Sequence, residues 1–150
     1  MNYGGTGYKV LLLLHVLAVV TAFGPWFLNG LIPSAALKRT PAEGQAINAA
    51  NFTVSSSTQY AIYAVVIFGF GLLGAKHSGF SMGKPWVGAA LGAWIVIVGV
   101  LHAIVLPAQR ALKDGTGDRE ALTQRQSLGV AIINVLVVVA IYLMIFKPGQ

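Results

Sequence analysis

Cysteine is absent from this chain of 150 residues. Disulfides, iron–sulfur clusters, thiolate zinc sites and cysteine nucleophiles are therefore excluded. Acidic residues are almost as scarce: Glu43, Asp114, Asp118 and Glu120 are the only four. None falls inside an apolar block, so there is no intramembrane carboxylate pair, no acid-containing triad and no proton relay of the pump kind. No glycine-rich phosphate loop follows a strand. Charged residues make up 9% of the chain, against about 25% in a soluble domain. A deficit that large means that most of the surface does not meet water.

Apolar residues fill the gap. They make up 56% of the chain, mean hydropathy is +0.74, and they are gathered in four blocks, at about 8–32, 58–75, 86–106 and 127–146. Each block approaches the ~20 residues a helix needs to cross ~30 Å of hydrocarbon. Helices are the only open-ended elements that satisfy every backbone group in lipid. The expectation is an all-α membrane protein, one domain over 1–150 built as an up-and-down bundle of four transmembrane helices. The first block is longer than the apolar core of a cleaved signal, and is expected to remain as a span. Pro33, Lys84-Pro85-Trp86, Pro107 and Lys147-Pro148-Gly149 mark the ends of spans. Trp26, Trp86, Tyr8, Tyr60 and Tyr142 fall near the expected interfaces as an aromatic belt would, while Trp94 falls mid-span, facing lipid.

Both termini and the loop Lys76–Pro85 share one side, A. Side B holds the connections 33–57 and 108–126. In the second of these, span three is expected to continue through Arg110 and Lys113 and to turn at Gly115-Thr116-Gly117, with Asp118 capping span four. Side B carries Lys38, Arg39, Arg110, Lys113, Arg119 and Arg125; side A carries Lys9, Lys76, Lys84 and Lys147. Counting basic residues alone favours side B as cytoplasmic. The net charge of +6 is spread over span ends rather than set in a stripe with aromatics, which excludes nucleic acid and fits a bilayer partner.

At 100° per residue, Leu11, His15, Ala18, Ala22, Pro25 and Asn29 share one arc of span one. Gly88, Gly92, Gly99 and His102 share one of span three, with comparable small or polar stripes on spans two and four. Such stripes are expected to face neighbouring helices. By depth, Asn29, Tyr63, His102 and Asn134 should form a structural polar cluster near side B. His15 and His102 differ by roughly 13 Å in depth at 1.5 Å per residue, too far to share one iron. Two alternatives stay open for His15: a neutral, hydrogen-bonded core residue, or a ligand acting alone or with Met144 for haem b or copper. His77 could join a surface metal site.

The opening Tyr8-Lys9-Val10-Leu11-Leu12-Leu13-Leu14-His15-Val16-Leu17, with Phe23-Gly24 and Asn29-Gly30, and the close Met144-Ile145-Phe146-Lys147-Pro148-Gly149, resemble a family of uncharacterised bacterial four-helix integral membrane proteins. In layout that family is loosely similar to the copper-resistance D membrane domain and to a small bacterial haem-binding protoporphyrinogen oxidase, which uses a histidine in its first span; His15 matches that histidine by position. The resemblance implies the bacterial inner membrane. With no catalytic machinery in the spans, the expected function is an accessory or scaffold subunit of a membrane complex, associating with other subunits or with itself. The alternative is a haem- or copper-binding membrane protein centred on His15.

Overall fold

The computed structural model describes residues 4–75 and 81–149. Four helical segments in it are long and apolar enough to cross a bilayer: Thr6–Leu37, Pro41–Leu73, Pro85–Asp114 and Arg119–Phe146. No strand occurs among the described residues. Leu13, Val20, Ile95, Val135 and Ile145 are each more than half exposed, a surface that only lipid covers without cost. The chain is an all-α, multi-pass membrane protein with four spans.

Span one is broken twice, into α1 (Thr6–Phe23), α2 (Trp26–Asn29) and α3 (Ile32–Leu37). Pro25 follows Gly24 at the first break, where its missing N–H and its ring interrupt the ladder. Span two is a single helix, α4 (Pro41–Leu73). The connection expected at 33–57 is therefore mostly helix, and only Lys38–Thr40 joins the two spans. Two features make residues 41–57 helical despite their polarity. Thr40 and Glu43 form a reciprocal capping box, with Thr40 Oγ1 accepting from the Glu43 amide at 3.4 Å and Glu43 Oε2 from the Thr40 amide at 3.2 Å, and Pro41 fills the first turn. The hydroxyls of Thr53, Ser57 and Thr58 then donate to carbonyls one turn back, at 2.8–3.0 Å, so they need no water. Gly44, Asn48, Asn51 and Ser55 form the buried stripe of this stretch, at helical spacing but without an apolar residue to reveal it.

Span three comprises α5 (Pro85–Val100), a π-helical segment (Leu101–Val105) and α6 (Leu106–Asp114). Pro107 cannot donate to the carbonyl of Ala103 four residues earlier. Arg125 Nη2 donates to that oxygen instead, at 3.1 Å, and the helix continues past Pro107 through Arg110 and Lys113 as the sequence predicts. Gly115 and Gly117 take φ of +68° and +80° in the following turn, conformations that favour glycine. Asp118 Oδ1 accepts from the Glu120 amide at 2.9 Å and starts α7 (Arg119–Phe146).

Helix α1 packs along α4, and α5 along α7; the two pairs are joined mainly towards side B, where α6 meets α4 and α7, and α2 and α3 meet α7. Ala22, Trp26, Ile62, Leu101 and Ile133 have no exposed surface and plug the centre. Towards side A the pairs separate. The inward stripe expected on span one holds, with His15, Ala18, Ala22 and Asn29 buried. On span three the expectation fails: Trp86, Ala90, Ala93, Ile97, Leu101 and Val105 face inward. Gly88, Gly92, Gly99 and His102 are exposed, with open space where each glycine's Cβ would stand. Nor do two tryptophans lie where expected. Trp26 is fully buried, and Trp94 Nε1 donates to the Ile62 carbonyl at 2.9 Å.

One glycine is required by the side B joint. A Cβ on Gly44 would stand 2.5 Å from Arg119 Nη2 and 2.6 Å from the Ala36 carbonyl oxygen, two groups hydrogen-bonded to each other at 3.0 Å. Gly44→Ala should lower stability by about 1–3 kcal/mol, as overpacking does. Thermal unfolding in detergent checks this; an unchanged midpoint would mean that the joint does not form.

Candidate ligand cavity and polar core

The separation of the two helix pairs leaves a cavity of about 360 Å³ in the side A half. Its walls are almost wholly apolar and include Phe23, Val65, Trp86, Trp94 and Met144. Such a volume lies within the range of small-molecule sites. His15, on α1, is the imidazole in this wall. Its Nδ1 lies 2.9 Å from the Val65 carbonyl oxygen. A carbonyl only accepts, so the proton sits on Nδ1 and Nε2 keeps its lone pair. No described residue donates to Nε2. The ring lies against Gly69 of α4, where an added Cβ would stand 3.4 Å from His15 Cε1, an ordinary contact. This arrangement, with one nitrogen oriented by a carbonyl and the other bare, is the one found in metal-ligating histidines. His15 and Met144 line the same cavity, as their pairing requires. His77 lies outside the described residues.

The cluster expected from Asn29, Tyr63, His102 and Asn134 divides into three. Tyr63 and His102 do meet, with the hydroxyl 2.9 Å from Nε2. His102 Nδ1 donates to the Val98 carbonyl at 2.9 Å, so Nε2 accepts from Tyr63. The pair sits on the outside of the bundle, with His102 exposed, and both ring nitrogens are engaged. Asn134 instead donates to the Trp26 carbonyl at 3.3 Å. Asn29 belongs to a buried network that depth alone did not reveal. Its Nδ2 donates to Ser55 Oγ at 2.8 Å, and Gln109 Nε2 donates to both Asn29 Oδ1 and Ser55 Oγ, at 3.2 and 3.0 Å.

Helix α7 closes this core on the broken span. Gln126 Nε2 donates to the Asn29 carbonyl, and Ser127 Oγ to the Gly30 carbonyl, each at 3.3 Å. With Asn134 on Trp26, three side chains of one helix serve carbonyls at the two breaks of another. Gln109, Gln126 and Ser55 carry no motif; the one sequence signal for them is that polar residues standing beside apolar spans must find partners within the bundle. Comparison with protein-family models, curated proteins and solved structures finds no match for this chain.

The two kinds of polar pair should behave differently on mutation. Gln126→Leu leaves the buried Asn29 carbonyl unpaired and should cost about 1–3 kcal/mol. Tyr63→Phe, at an exposed pair, should cost less than about 1 kcal/mol. Unfolding midpoints of the two variants in one detergent test the ranking; equal losses would contradict it.

Proposed function

We propose that the protein is a membrane-embedded binding protein whose side A cavity holds a flat, lipid-soluble metal macrocycle of the haem b type, with His15 Nε2 as its axial ligand. The single observation that carries this reading is the Nδ1 hydrogen bond to Val65, which leaves Nε2 an acceptor and Lewis base in an apolar cavity. Neutral imidazole bound through one nitrogen is the common proximal ligand of haem iron, and the carbonyl bond on the other fixes the ring. The apolar walls suit the ring of such a group, its ionised propionates would have to reach the rim where Lys147 stands in the lining, and Met144 offers a soft donor in the same cavity. Bare copper is the weaker version, because no group of three or more His, Asp or Glu side chains that could hold an ion exists among the described residues. When bound, such a group would supply one-electron chemistry; the chain's own residues would hold it, orient it and exclude water.

The outward glycines favour a second role, as an accessory or scaffold subunit. Gly88, Gly92 and Gly99 leave a shallow strip on the lipid face of span three, where the backbone of a partner helix could approach closely. We place the protein in the bacterial plasma membrane with side B cytoplasmic, on the excess of Lys and Arg around Lys38–Thr40 and along α6 and the start of α7.

The first role is tested on full-length protein purified in mild detergent from haem-replete cells. A Soret band with stoichiometric iron in the wild type, lost in His15→Ala, supports it. Protein that is colourless, iron-free and unable to shift the spectrum of added haemin contradicts it. The second role is tested by disulfide crosslinking of Gly92→Cys, which is clean because the chain has no other cysteine. A crosslinked dimer in native membranes is expected, and its absence there would argue against a second copy of the chain on this face.

A further inference from the structure

The side B face shared by α4 and α6 gathers positive charge on one aromatic ring. Lys113 Nζ stands 4.9 Å from the centroid of the Phe52 ring, and Arg110 Cζ stands 5.8 Å from the same centroid. Both lie within the reach of a cation–π contact, and one turn of α6 carries both cations. The end of α6 is fixed to α4 beside them, where Gln45 Nε2 donates to the Lys113 carbonyl at 2.9 Å. Gln45 and Phe52 are seven residues apart, so they share one face of α4 and differ in depth by roughly 10 Å. Phe52 is half-buried, and Ser55 of the buried network lies one turn deeper on the same helix.

Two like charges drawn to one ring repel each other, and the acids nearby do not offset both. Asp114 Oδ1 lies 3.5 Å from Lys113 Nζ, but the side chains are 49% and 37% exposed, and such a pair holds weakly. Arg110 is exposed and forms no ion pair among the described residues. The Phe52 ring is its partner there, so the N–H fork of its guanidinium is free for the two parallel bonds that a phosphate accepts. Glu43 lies nine residues before Phe52 on α4, roughly 13 Å along the axis, and its carboxylate serves Thr40. Phe52 also stands at the level where a bilayer carries its phosphates. It falls between the polar joint at Lys38–Thr40 and the apolar block that begins at about residue 58, and headgroups flank the hydrocarbon in just such a layer.

We propose that Phe52, Arg110 and Lys113 form a headgroup site for an anionic phospholipid of the side B leaflet. Arg110 takes the phosphate through its fork and Lys113 adds a second charge. The ring holds both cations in place, with their apolar stems along the protein surface. A lipid is favoured over a soluble phosphate because the ring lies at the edge of the hydrocarbon, where acyl chains already position a headgroup. The site is separate from the His15 cavity, so neither proposal depends on the other, and it holds whichever side faces the cytoplasm.

The test uses the full-length protein in mixed micelles, unfolded thermally while phosphatidylglycerol or phosphatidylcholine is titrated in. Phosphatidylglycerol should raise the midpoint saturably, and phosphatidylcholine should not. Arg110→Gln and Lys113→Gln should each weaken the apparent affinity for phosphatidylglycerol roughly fivefold, as expected for one basic residue at an anionic surface. Phe52→Leu keeps every charge, yet it should weaken that affinity about twofold or more, because the cations lose the ring that holds them. Lys38→Gln, on the joint between α3 and α4, should leave the affinity as it is. Arg110 is exposed, so Arg110→Gln against Lys38→Gln carries the comparison if Phe52→Leu fails to fold. Equal responses to the two lipids, a wild-type response in folded Phe52→Leu, or equal losses in Arg110→Gln and Lys38→Gln would overturn the site and leave diffuse surface charge. A midpoint raised as much by inorganic phosphate as by phosphatidylglycerol would overturn the assignment to lipid.

Discussion

The bundle depends on how the broken first span is made tolerable inside a membrane. Each interruption of a helix frees backbone groups, and in hydrocarbon no solvent can take them. Here the donors come from α7: Asn134 to Trp26, Gln126 to Asn29 and Ser127 to Gly30. These bonds draw span four against span one at the side B half. The Asn29–Ser55–Gln109 network draws in spans two and three at the same level. Arg125 likewise donates to the Ala103 carbonyl, to which Pro107 cannot. The breaks therefore act as points of attachment rather than as defects, and all four spans meet where they occur.

The shape of the other half follows. Because the polar attachments lie towards side B, the α1–α4 and α5–α7 pairs are free to part towards side A. There His15 ties α1 to the Val65 carbonyl of α4. The His15 cavity is the space between the two pairs, and the central plug of Trp26, Ile62, Leu101 and Ile133 separates it from the amide cluster. Two environments thus share one short bundle: an apolar cavity with a single imidazole, and a polar core of paired amides.

Much of this was legible in the sequence, and the misses have physical causes. Four spans, the glycine turn at Gly115–Gly117, the Asp118 cap and the inward arc of span one follow from hydropathy, turn chemistry and helical period. The helical start at Pro41 is written in Thr40-Pro41-Ala42-Glu43, but hydropathy hides it, because the buried stripe there is Gly44, Asn48, Asn51 and Ser55. The rule that small residues face inward failed on span three. Alanines at Ala90 and Ala93 fill the interior, while the glycines gain nothing from burial and stay outside. His15 could be read as a candidate from the sequence; the state of its ring could not, since that is set by Val65, fifty residues away. The glutamines were silent because a buried amide has no spacing rule, only the obligation to be paired.

The central claim is that His15 presents a bare Nε2 to the side A cavity. ¹⁵N NMR of histidine-labelled protein in detergent, with His15→Ala to assign the signals, measures this directly. The account predicts a neutral ring at His15 with the proton on Nδ1 and Nε2 unprotonated, and a large shift of the Nε2 signal when a metal macrocycle binds. A proton found on Nε2, in either the neutral or the charged ring, would contradict it, and with it the reading of the cavity as a ligand site.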